Sequence, residues 1–131
     1  MNHAEFVGRV AQRTGTPPER AEILARATLE TLAERLTGGE ASDLAAQLPV
    51  ALQDPLRKRA ESAEAFGLEE FVRRVSERAR LDPVAATDRV SAVLMTVREA
   101  VSGGEFEDVL SQLPQEFRDP AGVAERQRLA G

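Results

Sequence analysis

Carboxylates gather at two places in this chain. Glu105, Glu107 and Asp108 crowd one short stretch, and Glu40 and Asp43 crowd another. Oxygens of this kind suit a hard cation such as calcium, but their spacing lacks the regular ligand ladder and central glycine of a calcium-binding loop. Both groups fall where a helix is expected to begin, and an acid in a first helical turn is favoured by the helix dipole by roughly 0.3–1 kcal/mol. They are read as helix-starting residues, and no metal is expected at either place. Gly38 and Gly39 precede one group, and Gly103 and Gly104 the other. A glycine pair before a helix can cradle a phosphate; here Glu follows at once and no Lys comes after it. The glycines are therefore read as turn residues supplying left-handed backbone between two helices. His3, the only histidine, sits at a chain end, and cysteine is absent. Histidine-relayed nucleophiles, thiol chemistry and a well-made zinc site all lack their residues. No catalytic residue and no cofactor is assigned, and the chain is read as a non-enzyme.

A duplication sets these groups twice. The second half repeats the first at a constant offset of 65 residues, without a gap from Glu5/Glu70 to Pro55/Pro120. GluPheVal recurs at 5–7 and 70–72, GlyGlyGlu at 38–40 and 103–105, GlnLeuPro at 47–49 and 112–114, and AspPro at 54–55 and 119–120. A period this long is one supersecondary unit used twice. Within each unit the apolar residues recur at helical spacing. Phe6, Val7, Val10 and Ala11, and Phe71, Val72, Val75 and Ala79, mark a first helix over 2–14 and 68–80. Ala21, Ala25, Thr28, Leu29, Leu32 and Leu36 form the stripe of a long second helix, matched by Ala86, Val90, Val93, Leu94, Val97 and Val101. Thr16 is expected to cap the first of these helices, with Pro17 at its first position and Glu19 completing a capping box; Asp82 and Pro83 do the same for the second. A short third helix is expected over 40–47 and 105–112, stopped by Pro49 and Pro114.

These elements predict an all-α fold of two tandem three-helix repeats, 1–55 and 66–120, packed as a pseudo-twofold bundle around the two long helices. A linker helix is expected over 55–66 and a short C-terminal helix over 120–131. Several polar residues are identical between the copies, among them Arg9/Arg74, Arg13/Arg78, Thr31/Thr96, Glu34/Glu99, Asp43/Asp108 and Gln47/Gln112. One asymmetric active site would restrain one copy, whereas bonds that support the fold restrain both. Arg9 with Asp43, and Arg74 with Asp108, are accordingly expected as ion pairs tying the first helix to the third within each unit.

Composition excludes whole classes of function. The net charge of −5 is spread over both halves, and one lysine stands among seventeen cations. A concentrated cationic face is missing, so nucleic acid is not an expected partner. The densest basic cluster, Arg73, Arg74, Arg78 and Arg80, is interleaved with Glu69, Glu70 and Glu77 and reads as solvated helix surface. No apolar run approaches the length of about 20 residues that a membrane helix needs. The opening residues carry no export signal, and a cytoplasmic location is expected.

The segment from Phe6 to Arg13, the run Thr31 to Leu36, and Thr37 to Pro49 with its echo Val101 to Pro114 resemble a bacterial family known as domain of unknown function 2267. The resemblance covers nearly the whole chain. It implies a small all-helical protein and brings no established activity, cofactor or catalytic residue. The expected function is a non-enzymatic interaction module that presents helical surfaces to another protein or to a second copy of itself. The alternative is a carrier of a small apolar ligand, held where small Ala25 and Thr28 face larger Val90 and Val93, in a void lined by Leu29, Leu32, Leu94 and Val97.

Overall fold

The structure is a computed structural model and describes residues 1–57 and 61–123. Six α-helices occupy most of that span: α1 (His3–Thr14), α2 (Pro18–Arg35), α3 (Gly38–Gln47), α4 (Leu68–Ala79), α5 (Pro83–Ala100) and α6 (Gly103–Ser111). Single 3₁₀ turns follow α3 at Val50–Leu52 and Asp54–Leu56, and α6 at Gln115–Phe117. There is no strand among the described residues, and no helix there is long and apolar enough to cross a membrane.

The long helices α2 and α5 meet at the centre. α1 packs on both of them, α4 packs on both of them, and α3 meets α6. Every residue of the two predicted stripes is buried except Val101, which is partly covered. Thr28 shares that burial because its hydroxyl donates to the Leu24 carbonyl at 2.9 Å, so no polar group is left unpaired. Phe6, Phe71 and Phe117 are fully buried, and full burial of one such ring stabilises the fold by about 2–3 kcal/mol. Phe71 meets Phe117 edge to face, with ring centroids 5.2 Å apart, the arrangement that aromatic quadrupoles prefer.

Local chemistry explains where the helices begin. Asn2 caps α1 by accepting from Glu5 N, while the Glu5 side chain takes the Asn2 N–H in return, a reciprocal capping box. Asp82 caps α5 through Val84 N at 2.9 Å, as its sequence predicts. Its counterpart differs: α2 starts one residue late, with Pro17 as N-cap and no side-chain cap, because the Thr16 hydroxyl pairs with that of Thr14 instead. The glycine pairs also differ from expectation. They form the first turns of α3 and α6, where Thr37 and Ser102 accept from Glu40 N and Glu105 N, and none of the four adopts a positive φ. Gly38 serves close approach instead: a Cβ there would run into the Glu61 carboxylate and lie 3.3 Å from the Glu61 Cα.

The expected linker helix over 55–66 is absent from the described residues. Asp54–Leu56 makes one 3₁₀ turn, 61–67 lies outside any helix, and 58–60 lies outside the described residues. The reason is competition for backbone groups. Glu61 O accepts from Gly38 N at 2.8 Å, Glu64 N donates to Glu34 O at 2.9 Å, and Phe66 O accepts from Arg35 Nε at 2.7 Å. The Glu64 N–H used in this way cannot close a helical bond of its own, and the two carbonyls are engaged by groups outside the segment. Over the expected C-terminal helix, Pro120 to Gly122 form turns with Gly122 at φ 81°, and 124–131 lies outside the described residues.

Helices α1 and α4 both end on a left-handed residue, Gly15 at φ 66° in the first and Arg80 at φ 54° in the second. Glycine takes that conformation freely, whereas an L side chain is strained by roughly 1–2 kcal/mol. Arg80→Gly is expected to raise unfolding stability by about 0.5–1 kcal/mol in denaturant titration, part of the relief being offset by the greater freedom of glycine in the unfolded chain.

Candidate functional site

The four sequence-predicted site residues do not pair as expected. Arg9 reaches Glu99 of α5, and Arg13 beside it holds Glu99 at 2.6 Å and the Thr96 hydroxyl at 2.7 Å. In the matching positions, Arg78 holds Glu34 at 2.7 Å and the Thr31 hydroxyl at 2.8 Å, and Arg74 reaches Glu34 at 3.1 Å. The identical polar residues therefore bond across the two halves, not from first helix to third within one half. The expectation failed because spacing along a helix fixes which residues share a face but not which helix that face meets; α1 lies on α5, and α4 on α2. Arg74 is bound further by Glu70 and Glu64 and lies 4.0 Å over the ring of Phe66. The turns cross as well, with Gln112 Oε1 accepting from Thr37 N at 2.9 Å and Gln47 Oε1 from Ser102 N at 2.7 Å.

Asp43 and Asp108 lie elsewhere, at the junction of α3 and α6. Carboxylate oxygens of Glu40, Asp43 and Glu105 lie within 4.8 Å of one another, and Asp108 is near enough for its charge to act on Glu40. Glu105 is only 9% exposed. One carboxyl oxygen of Glu40 and one of Glu105 are buried with no hydrogen-bond partner. Burial first, then a proton-sharing hydrogen bond with the Glu105 carboxyl and the charge of that carboxyl, then the charges of Asp108 and Asp43, push Glu40 up to about 8. The sequence separates these acids by 65 positions and shows each group as an ordinary helix start. Their one warning sign is the recurrence of GlyGlyGlu in both copies.

A second feature, an open cleft of about 1090 Å³, runs along α4 and the start of α5. Leu68, Val72 and Pro83 supply apolar wall, and Glu69, Glu70, Glu77 and Glu116 set four carboxylates against the single guanidinium of Arg73. Arg73 grips Glu70 and Glu77, and hydrogen bonds from Arg73 and then Arg74 hold Glu70 down at about 2. Glu116 accepts from Leu68 N at 2.6 Å and so caps α4 in place of a side chain at Gly67. Val84, one residue past Pro83, is 90% exposed. The first half has Ala4, Gln12, Ala51 and Glu19 where the second has Glu69, Glu77, Glu116 and Val84. Its counterparts of Leu68 and Thr87 are His3 and Glu22, which lie 2.8 Å apart. The repeat pattern does not reveal the cleft, because several residues of its wall stand at positions where the two copies diverge.

Two outcomes follow for stability. Arg78 chiefly, and Arg74 after it, hold Glu34 below the ordinary carboxylate range against opposing burial. The stability gained is complete at neutral pH and lost as pH falls below about 4.3, the unfolded carboxyl value. Glu34→Ala is expected to cost about 1–2 kcal/mol at pH 7 by denaturant unfolding, a charged network being worth more than an isolated exposed pair, and to cost progressively less as pH falls below about 4.3. For Glu40 the sign reverses. The unfolded chain loses this proton near pH 4.3 and the folded chain near 8, so stability falls as pH rises between them. Glu40→Gln is expected to flatten that slope and to melt several degrees above the parent at pH 8, read by circular dichroism.

No curated protein matches the sequence. The family model described as "Uncharacterized conserved protein (DUF2267)" matches residues 3–119. With all six helices inside that match, and with no activity attached to the description, the chain belongs to the DUF2267 family.

Proposed function

We propose that the protein is a non-enzymatic, cytoplasmic interaction module. In this reading the chain is two tandem three-helix repeats packed about a pseudo-twofold axis, one of which has diverged to receive a partner. The partner contributes a basic amphipathic segment that lies in the cleft between α4 and α5. The observation that carries the reading is the composition of the cleft: four carboxylates around apolar Leu68, Val72 and Pro83, with the exposed Val84 beside them. Complementary charge steers such an encounter, and the apolar floor supplies the burial that holds it.

Divergence between the halves supports a partner rather than a role in folding. Three positions that are acidic in the second half are Ala4, Gln12 and Ala51 in the first, and exposed Val84 replaces Glu19. Ala4 and Gln12 are compatible with the fold of the first half, so Glu69 and Glu77 are not required by it, whereas Glu116 also caps α4 where Gly67 has no side chain to do so. The alternative of an apolar-ligand carrier needs a void between α2 and α5. Ala25, Leu29, Leu32, Val90, Val93 and Val97 are fully buried there within one packed cluster, which gives that reading no support.

A photo-crosslinking residue in place of Val84 or Glu69 tests the proposal in the host cell, with the same residue in place of Glu19 or Ala4 as control. One protein bearing a basic amphipathic segment is expected to be captured at the first two positions and not at the second two. Glu69→Lys with Glu77→Lys is expected to weaken binding at least about tenfold in a titration with the purified partner. Equal capture at all four positions, or none, defeats the proposal, and an adduct of twice the chain mass replaces the foreign partner by a second copy.

A further inference from the structure

The α3–α6 junction is separate from the partner cleft, and the fold does not account for its charge. Glu40 and Glu105 occupy the third positions of their helices, capped by Thr37 and Ser102. Acids there are ordinary when they point to water. Here the helices face each other, Glu105 is nine-tenths buried, and a carboxyl oxygen of each glutamate lacks a partner. A buried carboxylate oxygen without a donor costs free energy unless a proton or a cation satisfies it.

The spacing suits a cation. Oxygens bound to one calcium ion at 2.3–2.6 Å can lie at most about 5 Å apart, and those of Glu40, Asp43 and Glu105 lie within 4.8 Å of one another. All three donors are hard carboxylate oxygens, with no nitrogen or sulfur among them, which selects calcium, manganese or magnesium over zinc or copper. The exposed side chain of Asp43 leaves one side of the group open to water, from which the remaining ligands of a six- to eight-coordinate ion would come. The two helix N-termini oppose a cation with about half a positive charge each. The charges of Asp43 and Glu105, with that of Glu40 once the cation displaces its proton, outweigh them, and Asp108 adds a further negative charge nearby.

We propose that the junction of α3 and α6 is a binding site for one hard divalent cation of the calcium type, held by Glu40, Asp43 and Glu105. Because the ligands come from both halves of the chain, the ion joins α3 to α6 directly. Binding therefore stabilises the folded chain by mass action.

Calorimetric titration of the chelator-stripped full chain with calcium chloride tests this at fixed pH, with melting temperature as a second readout. The expected result is one ion per chain and a rise in melting temperature with calcium concentration. Asp43→Asn and Glu105→Gln are each expected to weaken affinity at least about tenfold. Glu107→Gln, on the same helix but paired with Arg118 at 3.3 Å, is expected to leave it unchanged. Asp43 is exposed, so its variant remains informative if Glu105→Gln does not fold. Absence of binding up to about 10 mM calcium, roughly tenfold above the weakest sites of this kind, overturns the proposal. So does binding that all three variants retain, which would mark scattered surface carboxylates.

Discussion

The threonine hydroxyls of Thr31 and Thr96 are the points on which the assembly of this fold turns. Both are fully buried, and both donate within their own helix, at 2.8 Å, to Ala27 O and Ala92 O. Each keeps an acceptor lone pair, and each receives an arginine from the opposite half, Arg78 on Thr31 and Arg13 on Thr96. A guanidinium brought so far inward must meet an anion or lose its hydration without return. Glu34 and Glu99, one turn further along, supply it. Seated this way, the first helix of each half lies over the long helix of the other, which closes the apolar faces of α2 and α5 against solvent. Shape matching among small aliphatic residues specifies such an arrangement weakly; the forked, bidentate bonds of arginine specify it well.

Much of the fold was legible in the sequence because it is local. The stripes of α2 and α5 have a period that only a helix satisfies, and Asp82 with Pro83 is a start signal complete within two residues. Errors arose where a backbone group had more than one possible partner. Thr16 turned to Thr14, and the carbonyl of Glu61 accepted from Gly38, across the molecule. Residues 55–66 have helical composition, yet the backbone groups of Glu61, Glu64 and Phe66 bond to Gly38, Glu34 and Arg35, and no propensity scale contains that information.

The candidate sites were less legible, for two different reasons. At the α3–α6 junction each acid is locally favourable, and the conflict exists only once two helix starts face each other. Arg9 and Asp43 were expected to be partners because both recur, but recurrence records a shared constraint and not a shared bond. Arg9 and Arg74 answer to Glu99 and Glu34, and Asp43 belongs with Glu40 and Glu105. Around the α4–α5 cleft the informative residues are those that do not recur, such as Glu69 opposite Ala4 and Val84 opposite Glu19.

The crossed bonding also bears on how chains could exchange parts. Arg9 and Arg13 need Thr96 and Glu99, and Arg74 and Arg78 need Thr31 and Glu34, but nothing in those bonds requires that both halves come from one polypeptide. Two molecules trading second halves would re-form every guanidinium contact between the halves. The difference in free energy would lie in the connecting segment around Phe66, whose ring is stacked under Arg74 and whose carbonyl is bound by Arg35. For any such exchange, that short stretch and the freedom two chains lose on associating, and not the bonds between the halves, would set the balance between a closed monomer and a swapped dimer.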